Sequence, residues 1–518
     1  MLTPSGQSAN KLEKVMLLAL WANTLKEELR HQNRATSKKL IMAGLGKPTY
    51  PINANTVASY LRYWKRLEDA TQKWHKNPED NYEHLAIDYG DPRGDYEPRS
   101  IMASYMSSWY EAEIKPEHIL FTIGGIGALR TIFETFNTHY EDIPGYRIIT
   151  PFPYYSAYSN NLHKLHPIHV MSEAGYKLTA SALEKSIKEA YQLAEEDQGY
   201  PKAVLICNPS NPLGNVIETN ELYKIAEVLR NYPELHIIFD EAYIEMTFVQ
   251  TESFLKVAPD LKERVIILRS ATKALSAAGE RMAILIVFEQ RLMNEILNKN
   301  ISYFIHAPRS AQIAYAETMR DFNKEEQKKL SKFYKKKVEY VQNRLQLMGA
   351  EMPDPEYKVE ATFYVLGDFS DLFGLEMPGE ARRVLQHIDV VKTGEDLAYY
   401  LLFKDALLLA PLSYFGLPMN SGIMRITCSG NKHDLKEMMD RLEDRLFEAR
   451  SNIKHQLLES IKQELPKIKE IDNQLYIICH QKLEYVIHEE DSCLVLKDKN
   501  NTLSKMRSII DNLLGLIE

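Results

Sequence analysis

Lys273 stands in the run Ser270-Ala-Thr-Lys273-Ala-Leu-Ser-Ala-Ala-Gly279-Glu-Arg281, directly after an apolar stretch at 264–268. A lysine amine held at a strand end can condense with an aldehyde, and the nearby hydroxyl and guanidinium groups can hold an anion carried by that aldehyde. Upstream, Ile237-Ile-Phe-Asp240-Glu-Ala-Tyr243 is an apolar strand ending in an acid, with a tyrosine three residues on. A carboxylate at the tip of a buried strand is unfavourable unless it meets a cation. A third run, Ala203-Val-Leu-Ile-Cys-Asn208-Pro-Ser-Asn211-Pro212-Leu-Gly214, is a short strand closed by Asn, Pro and Gly turn chemistry. Singly, each has a plain structural reading: a helix start, an N-cap after a strand, a turn. In this order and at these spacings they point together to one chemical site.

The elements that must position these residues read as follows. Short apolar runs at 119–122, 147–150, 203–207, 236–240 and 265–269 alternate with helical patterns. That alternation predicts an α/β fold, a mainly parallel sheet sandwiched by helices. The motif residues fall at the C-terminal ends of the runs, where open α/β sheets bind ligands. Four parts are expected: a helical N-terminal segment (1–80) contributing to a small domain, a large domain (81–325), a smaller α+β domain (326–450) and a C-terminal α+β appendage (451–518). A charged helix over 323–349 opens the smaller domain. Residues 11–30 read as an amphipathic helix whose apolar run, 15–21, is too short to span a bilayer. In the appendage, helix is expected at 452–464, interrupted by Pro466, then strands at 474–479, 483–488 and 492–496, then helix at 503–514.

The three motifs resemble those of fold-type I pyridoxal-phosphate enzymes of the class I/II aminotransferase family, and the resemblance covers roughly residues 40–445. The Asn-Pro-x-Gly turn, the Asp-x-x-Tyr strand end and the Ser-x-x-Lys with a following arginine all have counterparts here. Further matches are Gly46 in Leu45-Gly46-Lys-Pro48, Tyr89 with Gly94 and Arg99, the turn Gly124-Gly125-Ile126-Gly127, the aromatic run Pro153-Tyr154-Tyr155, and Arg425 in Gly422-Ile-Met-Arg425. The resemblance implies a set of roles. Lys273 carries pyridoxal 5'-phosphate as a Schiff base and moves the proton. Asp240 holds the ring nitrogen, Asn211 and Tyr243 the ring oxygen, and Tyr155 the ring face. Ser270, Arg281 and the Gly125, Ile126 and Gly127 backbone hold phosphate, joined by Tyr89 from the second subunit of a homodimer. Gly46, Asn211 and Arg425 receive the substrate, Arg425 by bidentate pairing with its α-carboxylate. Cis peptides before Pro153 and Pro212 are also implied.

The implied activity is transfer of an amino group from an amino acid to a 2-oxo acid. The alternative on the same fold is a lyase, decarboxylase or cyclising enzyme. Departures from the family pattern are Ala283 in Arg281-Met-Ala283 where glycine is usual, Leu213 where threonine is usual, and Pro98 where leucine is usual. They leave the cofactor residues in place and the subfamily open. Lys47, Tyr50, Tyr303, Phe304 and His306 lie near motif segments, but the sequence does not say which of them faces a substrate.

Composition agrees with an enzyme of this size. The 518 residues carry a net charge of −8 with the two signs interspersed, which argues against a nucleic-acid partner. Cys207, Cys428, Cys479 and Cys493 show neither metal-ligand nor disulfide spacing, as expected for a cytoplasmic chain without a metal centre or membrane attachment.

Overall fold

The computed structural model of the chain describes residues 14–31, 38–78, 86–138, 146–159, 164–386 and 388–515. Among these residues seven strands form the large sheet: β1 (Ile119–Ile123), β2 (Arg147–Pro151), β3 (Lys164–Ile168), β4 (Pro201–Cys207), β5 (His236–Asp240), β6 (Val265–Ser270) and β7 (Met282–Val287). Their spatial order is β1-β7-β6-β5-β4-β2-β3. Only β7 runs against its neighbours, so the sheet is mainly parallel.

The central strands carry unbroken apolar runs, at 203–207, 237–239 and 265–268, because both faces are covered. Val204, Ile206, Ile237, Phe239 and Ile267 join one core, while Leu205, Ile238, Ile266 and Leu268 join the other. Register then fixes the site. Cys207 lies opposite Asp240, and Asp240 opposite Leu268. The residues that follow these three, including Asn211 and Lys273, therefore emerge at one edge of the sheet.

The smaller domain is built on an antiparallel sheet of Ala410–Pro411, Ile423–Thr427 and Tyr364–Asp368. Its entry helix, Lys324–Leu347, is capped by the Asn323 side chain, which accepts from the Glu325 and Glu326 amides. The two-residue strand Ile41–Met42 pairs parallel with Leu407–Leu408, which ties the N-terminal segment to this domain and leads into the Gly44–Gly46 loop. The N-terminal helix, Lys14–His31, buries Leu17, Leu18 and Ala22. Among the described residues no helix is long and apolar enough to cross a membrane.

The appendage corrects the expectation of an α+β unit: among the described residues it is three helical segments joined by short loops, with no strand. Helix Lys432–Ile468 runs unbroken across residue 450 and carries Pro466 in its last turn, with almost no helix left beyond it to disrupt. Helices Asn473–His488 and Cys493–Leu514 follow. The short apolar runs read as strands are turns of helix. Buried Cys479, Leu483 and Val486, and then Cys493, Leu496, Leu503, Met506 and Ile510, recur at three- and four-residue steps or their sums. The peptides before Pro153 and Pro212 are cis, and so is Asn208–Pro209.

Candidate active site

A cavity of about 260 Å³ opens at the C-terminal edge of β4, β5 and β6. Gly46, Gly125, Ile126, Tyr155, Asn211, Asp240, Tyr243, Ser270, Lys273, Arg281 and Arg425 all line it. Two of the sequence candidates do not. Gly127 faces Ile123 and the Phe304 ring, inside the packing of its helix. Tyr89 stands outside the cavity of its own chain, 80% exposed and edge-on to His306. Lys47, Tyr50, Tyr303, Phe304 and His306 are also off the wall; Tyr50 packs on Phe333, and Arg130 lies over Tyr303.

One end of the cavity is a cradle for an anion. Helix Gly124–Thr138 begins there, directly after β1. Gly124 has φ +66°, and a Cβ on it would come within 2.7 Å of Arg281 Nη2. Arg281 itself is left-handed, with φ +53°. The Ser270 hydroxyl accepts from the Thr272 amide at 3.1 Å and donates to the Thr272 hydroxyl at 2.7 Å. A helix N-terminus, a guanidinium and two hydroxyls make a strong phosphate site.

At the other end lie the titratable groups. The Asp240 carboxylate accepts from the Tyr158 phenol at 2.7 Å and from the Ala242 amide at 3.2 Å. Burial pushes its pKa up, against the pull of those two donors and of the Lys273 charge. Lys273 Nζ donates to the Gly46 carbonyl at 2.5 Å. Burial pushes its pKa down, with Tyr364 opposing and Arg425 and Arg281 assisting. The Tyr243 phenol is pushed well up by burial and by Tyr364, whose hydroxyl lies 2.8 Å away.

Arg425 is 3% exposed and donates to Asn211 Oδ1 and to the Gly44 carbonyl, each at 2.8 Å. Its Nε has no partner, and among the described residues no carboxylate pairs with it. A buried guanidinium without an anion is costly, and it marks a place where a carboxylate belongs.

Sequence reasoning missed several residues of the site and its surroundings. Tyr158 was visible in the tyrosine-rich run after Pro153, but nothing there indicated that it would reach Asp240. Tyr364 lies in an ordinary apolar strand and carries no local mark. Val15 and Met16, from the N-terminal helix, also line the cavity; in sequence they belong to a run that reads as packing.

A lysine, an acid and an arginine converging at the strand ends of a helix-covered sheet, beside an anion cradle, define a fold-type I pyridoxal-phosphate enzyme. The family model described as "Aminotransferase class I and II" matches residues 62–442, and the chain belongs to that family. A putative aminotransferase of Bacillus subtilis, YugH, is 26% identical over 356 residues, covering 68% of this chain and 81% of that protein. A 1-aminocyclopropane-1-carboxylate synthase of Malus domestica is 32% identical over 211 residues, covering 39% of this chain and 42% of that protein. The aspartate aminotransferase of Rhizobium meliloti shares the fold with a TM-score of 0.64 at 19% identity, covering 83% of this chain and 95% of that one.

The residues present fit the family's cofactor. The anion cradle suits its phosphate, and the buried Asp240 carboxyl suits its ring cation. Lys273 has a depressed pKa, as a reactive amine requires.

Proposed function

We propose that the protein is a pyridoxal-phosphate-dependent aminotransferase moving an amino group from an amino acid to a 2-oxo acid. The observation that supports it most is the convergence of Lys273, Asp240 and Arg425 on one cavity. Bound there, pyridoxal phosphate would supply an aldehyde for Lys273 and an electron sink for the bond broken at the substrate Cα.

The chain's own residues do the rest. Ser270, Arg281 and the backbone opening the Gly124 helix hold the phosphate. Asp240 holds the ring nitrogen with its proton, Tyr155 bounds the ring, and Asn211 and Tyr243 take the ring oxygen. Arg425 grips the substrate α-carboxylate with the free edge of its guanidinium, and the Gly46 loop closes beside it. The Lys273 amine would take the proton from the substrate Cα; its lowered pKa leaves it neutral at a lower pH than an ordinary lysine.

Tyr89, exposed and outside its own cavity, suits contact with the phosphate of a second copy, so the working form is a homodimer. Four free cysteines suit a cytoplasmic setting.

A second reading is favoured by one observation, the partial likeness to a 1-aminocyclopropane-1-carboxylate synthase: a cyclising enzyme, lyase or decarboxylase acting on an amino acid. A single-turnover experiment separates the two. The loaded protein is given one amino acid without a 2-oxo acid, and the cofactor released is identified by mass spectrometry. Pyridoxamine phosphate with a matching 2-oxo acid supports transamination. Loss of the amino acid with the cofactor still as pyridoxal phosphate supports the second reading. A protein that binds no pyridoxal phosphate overturns both.

A further inference from the structure

Tyr364 closes the lysine end of the cavity, and none of the roles above falls to it. Its side chain is 1% exposed. The ring lies beneath the Arg425 guanidinium, 4.2 Å from centroid to Cζ, and edge-on to Phe363 at 4.9 Å. Its hydroxyl is 2.8 Å from that of Tyr243. A Cβ placed on Gly46 would come within 2.1 Å of the same hydroxyl and 3.1 Å of Lys273 Nζ, so phenol and lysine crowd one point above the glycine.

We propose that Tyr364 is a positioning residue, donating its hydroxyl proton to Tyr243 and so turning the Tyr243 hydroxyl toward the cofactor's ring oxygen. The inference rests on the cofactor reading of the preceding subsection. It follows from counting donors and acceptors. A phenol carries one proton and has acceptor capacity for neighbouring donors. Arg425 Nη1 donates to Asn211 Oδ1 at 2.8 Å, which fixes the Asn211 amide with its NH2 group toward Tyr243, 3.5 Å away. Asn211 therefore meets Tyr243 only as a donor. Were Tyr243 to give its own proton to Tyr364, no proton would remain for a ring oxygen. With Tyr364 as donor, Tyr243 accepts from both neighbours, and its proton is free to point into the cavity. Arg425 acting through Asn211 on one side, and Tyr364 on the other, thus converge on Tyr243 as donors. Each such bond polarises the Tyr243 hydroxyl.

A hydrogen bond from Tyr243 drains negative charge from the ring oxygen. The less charge there, the less firmly a proton is held at the Lys273 nitrogen beside it. The pH midpoint of the visible absorption band of the loaded protein reads that balance. The measurement compares wild type, Tyr364→Phe, Tyr243→Phe and the double variant. Tyr364→Phe keeps the ring between Arg425 and Phe363 and removes only the hydroxyl.

The expected result is a rise in the midpoint of roughly half a unit for Tyr364→Phe and a larger rise for Tyr243→Phe. The double variant should match Tyr243→Phe, because Tyr364 acts through it. An unchanged midpoint in Tyr364→Phe would overturn the inference, as would an equal shift on the Tyr243→Phe background. In either case a normal visible band in wild type would leave the cofactor reading standing. Absence of any band in wild type would overturn both.

Discussion

The phenol of Tyr158 donates to Oδ2 of Asp240 at 2.7 Å, with both side chains shut away from water. That bond is a large part of what offsets the burial of the carboxyl, whose pKa is already raised. Tyr158→Phe should raise it further and weaken the hold on a ring cation. A charge-assisted hydrogen bond of this kind is worth about 2 kcal/mol, so cofactor affinity should fall on the order of tenfold or more. Asp240→Asn, which removes the charge itself, should cost more. Equilibrium dialysis of the cofactor against wild type and both variants checks the ranking; equal losses would show that the phenol, not the charge, is what matters.

Gly46 is sensitive for a steric reason that Gly279 does not share. A Cβ on Gly46 meets Tyr364 and Lys273, whereas one on Gly279 meets nothing within 4 Å. Gly46→Ala should displace the loop or the lysine and lower the rate of the catalysed reaction on the order of a hundredfold, the usual result of an ångström-scale misplacement. Gly279→Ala should behave like wild type. Steady-state kinetics on the pair, with thermal unfolding to show that both remain folded, tests this.

The residue after Asp240 has its own consequence for stability. Glu241 is 3% exposed, accepts from the Tyr110 phenol, and has its pKa pushed by burial from 4.5 up to about 7. Arg269, which pairs with Glu245, pulls the other way. Because the folded value lies above the unfolded one, the folded state binds more protons between pH 4.5 and 7. Stability from this group is therefore full below the unfolded value and is lost as pH rises through that window, by about 3 kcal/mol in total. Glu241→Gln keeps an acceptor for Tyr110 and removes the titration. Urea unfolding at pH 5 and pH 8 should show the variant gaining on wild type at the higher pH; a constant difference between the two would contradict the sign.

The cofactor side of the site was legible because its residues sit in local runs, each ending a strand whose apolar pattern is itself legible. Asn211, Asp240 and Lys273 needed only the parallel register to meet. Tyr158 and Tyr364 were not legible, since their meaning lies in partners 82 and 121 residues away in the chain. β7 escaped notice for another reason: Met282–Val287 follows the arginine motif at once and reads as its continuation. The appendage was misread because three- to six-residue apolar runs look alike in strand and helix. Only the longer recurrence, such as Cys493 to Ile510, distinguishes them.

Arg450 is the joint between that appendage and the rest of the chain. It is 1% exposed and donates to Asp371 at 2.6 Å, to the Cys493 carbonyl at 2.8 Å, to the Gly349 carbonyl at 3.1 Å and to the Met348 carbonyl. Asn500 returns a bond to the Arg450 carbonyl at 2.9 Å. Beyond this joint the last helices have a core of their own, with Ile461, Ile468, Leu503 and Ile510 fully buried. Arg450→Met should therefore loosen docking rather than melt the helices. Leaving buried carbonyls unpaired and removing one partner of the ion pair costs about 3–5 kcal/mol. Limited proteolysis should cut the variant faster near residues 469–472 and 489–492, between the helices, while helix content by circular dichroism stays close to wild type. Arg450 does not line the cavity, so cofactor binding should persist. If it were lost together with docking, the appendage would be part of what holds the site in shape.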